Sequence, residues 1–267
     1  MPTIQAGEVE LSYERSGNGP PLLLIMGMSG TAAHWGEPFL EPLRERFETI
    51  VYDHRGVGES GRLKGSLSIA KMAADAAALL TALELDSAHV MGISMGGMVA
   101  QELALAEPER VRTLTLGCTY CGGEGSSVSS PEVMRRLGEG MLSGNRELAL
   151  RTSWDVNVSA SMAADAGAYA RFLAIASEHR VAVRVVMAQL QACRAHDTSA
   201  RLHDLDMPVL VIHGTEDQLL PVANGRMIAS LVPGARLEIF DDVGHLFFWE
   251  RPERAAELVI GHAAVTA

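Results

Sequence analysis

Residues 88–106 read AHVMGISMGGMVAQELALA. The run from Ala88 to Ile93 is short and apolar, as expected of a strand buried on both faces. Met95 to about Ala106 is dense in helix formers, and Pro108 closes it. Between the two stands Ser94, in Gly92-Ile93-Ser94-Met95-Gly96. Gly-x-Ser-x-Gly alone recurs by chance, and a tight turn with an incidental serine is the rival explanation. A strand before it and a helix behind it raise the signal, because that setting lifts a serine hydroxyl clear of a sheet. The glycines permit a turn that larger side chains block. The helix N-terminus offers backbone N–H groups to a developing oxyanion.

Outward from this turn the chain alternates. Strands are predicted at 9–14, Leu22–Met26, Thr49–Tyr52, Ala88–Ile93 and Val111–Leu116, with helices at 37–46, from Ser68 to about Glu84, and from Met95 to about Ala106. Strand 9–14 alternates Val9, Leu11 and Tyr13 with Glu10, Ser12 and Glu14, so one face should be exposed. The alternation predicts an α/β fold, a mostly parallel twisted sheet flanked by helices, with its site at the carboxyl ends of the strands. It stops after residue 120. Gly122 to Ser130 is Gly/Ser-rich, and 131–142, 145–154, 160–177 and 179–195 read as helices with no strand between them. Strands resume at Val209–His213 and 236–240, with helices near 222–231 and 252–262. Residues 1–120 and 207–267 are therefore expected to form the core domain, and 121–206 a helical cap inserted in it.

Composition agrees with one large core carrying an insertion. The chain has 267 residues, 48% hydrophobic but only 5% aromatic, so the core should be mostly aliphatic. A net charge of −11 without Lys/Arg clusters argues against nucleic acid and anionic membrane surfaces. Met1 to Ser16 lacks a basic stretch followed by an apolar run, and no segment approaches the roughly 18 apolar residues of a membrane span. A cytoplasmic location is the expectation. Cys118, Cys121 and Cys193 are too few for a zinc site, and Cys118-x-x-Cys121 opens no helix, so reduced packing cysteines are expected. No metal and no cofactor are expected.

A serine needs a base, and the base an orienting acid, in the chain order Ser, Asp or Glu, His. Asp217 follows strand 209–213 in Gly214-Thr215-Glu216-Asp217, and His245 follows strand 236–240 in Asp241-Asp242-Val243-Gly244-His245. Glu216 rivals Asp217: one carboxylate should face His245 and the other solvent. His54 precedes the serine and would break the order, while His213 is expected to pack within its strand.

The residues Gly27-Met28, Tyr52-Asp53-x-Arg55-Gly56-x-Gly58-x-Ser60, Gly92-x-Ser94-Met95-Gly96-Gly97, His213-Gly214-x-x-Asp217-x-x-x-Pro221 and Gly244-His245 resemble the α/β-hydrolase superfamily. The sequence is most similar to its small-ester and lactone hydrolases of the 3-oxoadipate enol-lactonase and esterase type. That resemblance covers nearly all of the chain outside the cap. It implies Ser94 as nucleophile, His245 as base, Asp217 rather than Glu216 as orienter, and an oxyanion hole from the N–H groups of Met28 and Met95. The family usually has His-Gly where this chain has Met26-Gly27, which makes the oxyanion loop more apolar and leaves its hydrogen-bond support open. Arg55 and Asp53 are expected to tie the 53–60 loop together, Arg55 through neighbouring carbonyls.

The insertion carries Met134, Met141, Met162 and Met187 with Trp154, Tyr169 and Phe172. Each is expected more often in the insertion's own core than on the pocket wall, although methionine suits irregular apolar ligands. Candidate pocket residues are Met26, Gly27, Trp154, Leu246 and Phe247. The expected reaction is hydrolysis of a small to medium carboxylic ester or lactone. A C–C bond hydrolase, a cofactor-free perhydrolase and a slow-turnover ligand receptor could use the same three residues. A thioester substrate remains open, whereas a haloalkane dehalogenase would need a carboxylate at position 94. The oligomeric state is left open.

Overall fold

The computed structural model of the chain describes residues 1–178 and 180–266. The helix expected at 179–195 opens on His179, and the core range closes on Ala267; both lie outside the described residues.

Eight strands make one sheet: β1 (Thr3–Ala6), β2 (Val9–Ser16), β3 (Pro21–Ile25), β4 (Glu48–Tyr52), β5 (Ala88–Ile93), β6 (Val111–Gly117), β7 (Val209–Gly214) and β8 (Arg236–Phe240). Their order is β1-β2-β4-β3-β5-β6-β7-β8. β1 with β2 and β2 with β4 are antiparallel, and β3 onward is parallel. This is an α/β-hydrolase fold. β3, β5 and β7 are buried throughout, as their uninterrupted apolar runs require. β1 was not anticipated. It is a four-residue edge strand of mixed polarity, and such a stretch carries no period. Nor is the second face of β2 wholly exposed: Ser12 is buried, and its N–H donates to Ser60 Oγ at 2.8 Å.

Helices α1 (Glu37–Arg44), α2 (Ile69–Ala82) and α3 (Met95–Ala106) connect the first strands. Between β6 and β7 come α4 (Pro131–Leu142), α5 (Arg146–Asn157), α6 (Ala160–Ala163), α7 (Ala166–Glu178) and α8 (Val183–Arg194), with no strand assigned among them. The helix expected over 160–177 is split in two. Asp165 Oδ1 accepts the N–H groups of Gly167 and Ala168 at 2.8 and 3.0 Å, which starts α7 afresh. Then come α9 (Ala223–Leu231), α10 (Phe247–Glu250) and α11 (Pro252–Ala263). No described helix is long and apolar enough to cross a membrane.

Two apolar layers cover the sheet. One, with α2, α3 and α9, is almost wholly aliphatic. The other, with α1, α10 and α11, gathers the scarce aromatics: Trp35, Phe39, Phe47, Phe247 and Phe248. A third cluster lies in the insertion, where Trp154, Val158, Ala168 and Phe172 pack with Leu246 and Trp249. The Trp154 and Trp249 rings meet edge to face at 5.8 Å, and Trp249 Nε1–H donates to His34 O at 2.7 Å.

Among the described residues, Arg55 forms no bond to a carbonyl. Its guanidinium pairs with Asp75 on α2, Nε donating to Oδ2 at 2.6 Å, and both side chains are buried. The turn of the 53–60 loop already uses the carbonyls of His54, Val57 and Gly61, which accept from Val57, Ser60 and Gly56. The carboxylate on the adjoining helix offers two charged acceptors that match the guanidinium fork. Asp53 does tie its loop: Oδ1 accepts the Ala32 N–H at 2.7 Å, and Oδ2 lies where a Cβ on Gly58 would sit, 1.8 Å away. Asp75→Ala should lower stability by about 3–5 kcal/mol, because a guanidinium is left buried without its counter-charge. Arg55→Met with Asp75→Leu should regain most of that. Urea midpoints of the three proteins check this, and equal midpoints for wild type and Asp75→Ala would refute it.

Candidate active site

Ser94 is a strained residue at the junction of β5 and α3. Its backbone has φ 56° and ψ −123°, a region that costs a side-chain-bearing residue about 1–3 kcal/mol. Close packing enforces it. A Cβ on Gly92 would lie 2.1 Å from Gly96 O, and one on Gly96 would lie 2.0 Å from Ile25 O. The Ser94 N–H donates to Gly117 O at 2.9 Å, and Thr119 Oγ1–H donates to Ser94 O at 2.7 Å. The backbone is thus fixed from the end of β6 and the loop after it, while the side chain stays half-buried. The first N–H groups of α3, Met95 among them, have no intrahelical acceptor by construction.

Asp217 and His245 meet beyond the ends of β7 and β8. His245 Nδ1–H donates to Asp217 Oδ2 at 2.7 Å, and the two side chains are almost wholly shielded. Asp217 divides its oxygens. Oδ1 accepts the N–H groups of Leu219 and Leu220, each at 2.9 Å, while Oδ2 takes His245 and, at 3.2 Å, His213 Nε2. Burial pushes the carboxyl up, but the charges and hydrogen bonds of His245 and His213 outweigh it and hold Asp217 below the usual carboxylate range. His213 does pack, fully buried, yet Nε2 also donates to Leu220 O at 2.7 Å, so it props the acid's loop. Its spacing in His213-Gly-Thr-Glu-Asp217 was the available clue. Glu216 turns the other way, and Oε2 accepts the Ala160 N–H at 3.1 Å.

Cys118 is a free cysteine packed in the core. It is buried beside the acid, with its thiol pushed well up by burial and then by the Asp217 charge. Its Sγ, an Asp217 oxygen and a His245 ring nitrogen lie within 4.8 Å of one another. A soft cation would fit those donor types. It would have to break the 2.7 Å Asp217–His245 bond and ionise a thiol that resists ionisation, so the donor set fits a metal poorly.

The loop after β3 lies against the serine. A Cβ on Gly27 would sit 3.1 Å from Ser94 Cβ and 3.7 Å from Oγ. Met28 follows, partly exposed, and Met26 is buried with its side chain against Gly30. Three ties hold this loop. His54 Nε2 donates to Met26 O at 2.9 Å, the Ser29 N–H donates to Gln189 Oε1 at 2.9 Å, and Gly30 N–H to Gly27 O at 3.3 Å. Because Met26 O can only accept, His54 carries its proton on Nε2. His54 thus supports this loop through the Met26 carbonyl.

Burial lowers His54 to about 4 from an ordinary 6.5. The unfolded chain therefore takes up the proton first on acidification. This contribution is complete above about pH 6.5 and drains away towards pH 4, on the order of 3 kcal/mol. The urea midpoint should fall between pH 7 and pH 5, and by less in His54→Gln. An equal fall in both proteins would refute the assignment.

The insertion is fastened to the His245 loop. Leu246 N–H donates to Asn157 O at 2.9 Å. Glu250, buried in α10, accepts the N–H groups of Gly244 at 2.8 Å and Ser159 at 2.9 Å, and also the Ser159 hydroxyl. A carboxylate ending the apolar run 246–249 was the sequence clue. Among the expected pocket residues, Leu246 is half-buried beside Trp249, while Trp154 and Phe247 are fully buried. Trp154 fills the insertion's own core with Tyr169 and Phe172. The Phe247 ring covers Gly117, where a Cβ would lie 2.7 Å from it. Met134 and Met162 are half-buried. Met141 and Met187 are exposed; on α8 the buried stripe is Val185, Gln189 and Ala192, and Met187 falls off it.

A family model described as "Alpha/beta hydrolase family" matches residues 22–258. A provisionally named carbamate hydrolase, RutD, of Azorhizobium caulinodans is 33% identical over 269 residues, covering 98% of this chain and 97% of that protein. A provisionally named non-heme bromoperoxidase, BpoC, of Mycobacterium tuberculosis is 29% identical over 92% of this chain and 94% of its own. The crystal structure of the enol-lactonase from Burkholderia xenovorans LB400 superposes with a TM-score of 0.86 at 25% identity, over 98% of this chain and 100% of that one.

Proposed function

The chain belongs to the alpha/beta hydrolase family, and from that premise we propose that it is a serine hydrolase cleaving a small to medium carboxylic ester or lactone through an acyl-enzyme on Ser94. The observation that carries the proposal is the buried Asp217–His245 bond at 2.7 Å, set on the sheet edge where the strained turn presents Ser94. Asp217 holds the His245 proton on Nδ1 and leaves Nε2 as base. Ser94 Oγ gives its proton to Nε2 and attacks the carbonyl carbon. The Met28 and Met95 N–H groups receive the negative charge on the carbonyl oxygen. His245 then protonates the leaving oxygen, and water activated by the same nitrogen releases the acid. Residues 1–120 and 207–267 act in this scheme as the core, and 121–206 as a cap over the strand ends. No step calls for a metal or an organic cofactor.

A second reading has support in the 33% identity to a protein named as a carbamate hydrolase. A carbamate carbonyl would follow the same course with an amine or alcohol leaving. A matched panel of an ester, a lactone, a thioester and a carbamate separates these readings by kcat/KM. A serine-reactive phosphonate should add one phosphonyl group per chain, found on the peptide containing Ser94. Labelling elsewhere, or none together with no turnover on the panel, would overturn the serine-hydrolase proposal. Single turnover alone would identify a ligand receptor.

A further inference from the structure

Gln189 is the polar member of the buried stripe of α8, between Val185 and Ala192, and is fully shielded from solvent. Its two amide atoms fare differently. Oε1 accepts the Ser29 N–H at 2.9 Å. Nε2 is buried with no hydrogen-bond partner among the described residues. A buried donor left open is costly and uncommon, and it calls for an explanation.

Its place supplies one. Nε2 shares a carbon with Oε1, so both lie at the loop whose Gly27 packs on Ser94. The Met26 and Gly27 carbonyls accept from His54 and Gly30, Nε2 bonds to neither among the described residues, and the side chains of Met26 and Met28 offer no strong acceptor. We infer that Gln189 Nε2–H is a specificity-determining donor, recognising a second oxygen on the acyl side of the substrate. This rests on the serine-hydrolase reading and narrows its substrate class to esters or lactones with an ether, hydroxyl or carbonyl oxygen near the scissile carbonyl. Ser29 is the residue after Met28, and successive Cα atoms are about 3.8 Å apart. An oxygen about two bonds from the carbonyl carbon matches that offset.

Phenyl methoxyacetate and phenyl butanoate form a suitable pair, equal in length and differing by oxygen in place of one methylene. The readout is the ratio of their kcat/KM values, in which intrinsic reactivity and any general slowing of the enzyme cancel between variants. Gln189→Met removes the donor and should lower the ratio about tenfold, the equivalent of one neutral hydrogen bond. Gln189→Leu removes donor and acceptor together and leaves an apolar side chain in the buried stripe. It should lower the ratio similarly, and turnover of the butanoate certifies that each variant is folded. A ratio unchanged in both variants overturns the inference while leaving the serine hydrolase intact. A wild-type protein that cleaves neither ester and takes no phosphonate overturns the serine-hydrolase reading, and this inference with it.

Discussion

Ser94→Ala should lower kcat for p-nitrophenyl butyrate by about 10³- to 10⁶-fold, with KM little changed. The substitution removes the oxygen on which the proposed acyl-enzyme forms and nothing else of consequence. The backbone bonds to Gly117 and Thr119 do not involve the side chain, so the turn and the start of α3 should persist. The residue at 94 still has to adopt φ 56°, so the strain remains in the variant. Thermal stability should therefore move by less than about 1 kcal/mol, as for a half-buried side chain outside a packed core. Residual catalysis should be that of a pocket that still offers N–H groups to the oxyanion. Activity within tenfold of wild type would remove Ser94 from the mechanism.

Asp217→Asn should cost about 10⁴-fold in kcat. The two oxygens of Asp217 have separate duties, and the exchange separates them. Asparagine Oδ1 can still accept from Leu219 and Leu220 and keep the loop. Its NH₂ then faces His245 Nδ1 and His213 Nε2, which are themselves donors. His245 must give up its Nδ1 proton to be tolerated, and with it the basic Nε2 that the reaction needs. Glu216→Gln, by contrast, alters one exposed contact to Ala160 and should cost little. The reverse order of effects would mean that Glu216 is the acid. Because Asp217 is held below the usual carboxylate range, it stays ionised across ordinary assay pH. Its contribution to stability is complete above about pH 4, the unfolded value, and is lost as pH falls through the lower folded one.

The parallel sheet was legible because its strands are continuous apolar runs bounded by glycine-rich turns, as in Ala88–Ile93, whose limits the structure repeats. The strand-end positions of Ser94, Asp217 and His245 followed from the same runs. What escaped the sequence depends on pairing across distance. β1 exists because β2 lies beside it. Arg55 finds Asp75 because α2 sets a charged carboxylate against its guanidinium. His54, His213, Glu250 and Gln189 are isolated polar residues in apolar surroundings. Such residues announce that a partner exists, but only the fold names Met26, Asp217, Gly244 or Ser29 as that partner.

The edge-to-face contact of Trp154 with Trp249 joins the insertion to α10, two residues upstream of which the chain leaves the His245 loop. Two indoles at 5.8 Å couple their electronic transitions, so this junction should give a paired positive and negative band in the circular dichroism spectrum. Trp35, in the other aromatic layer, packs against Phe39 and Phe248. The molecule thereby carries an optical gauge of whether its helical insertion is seated, readable in solution without any label and independent of catalysis.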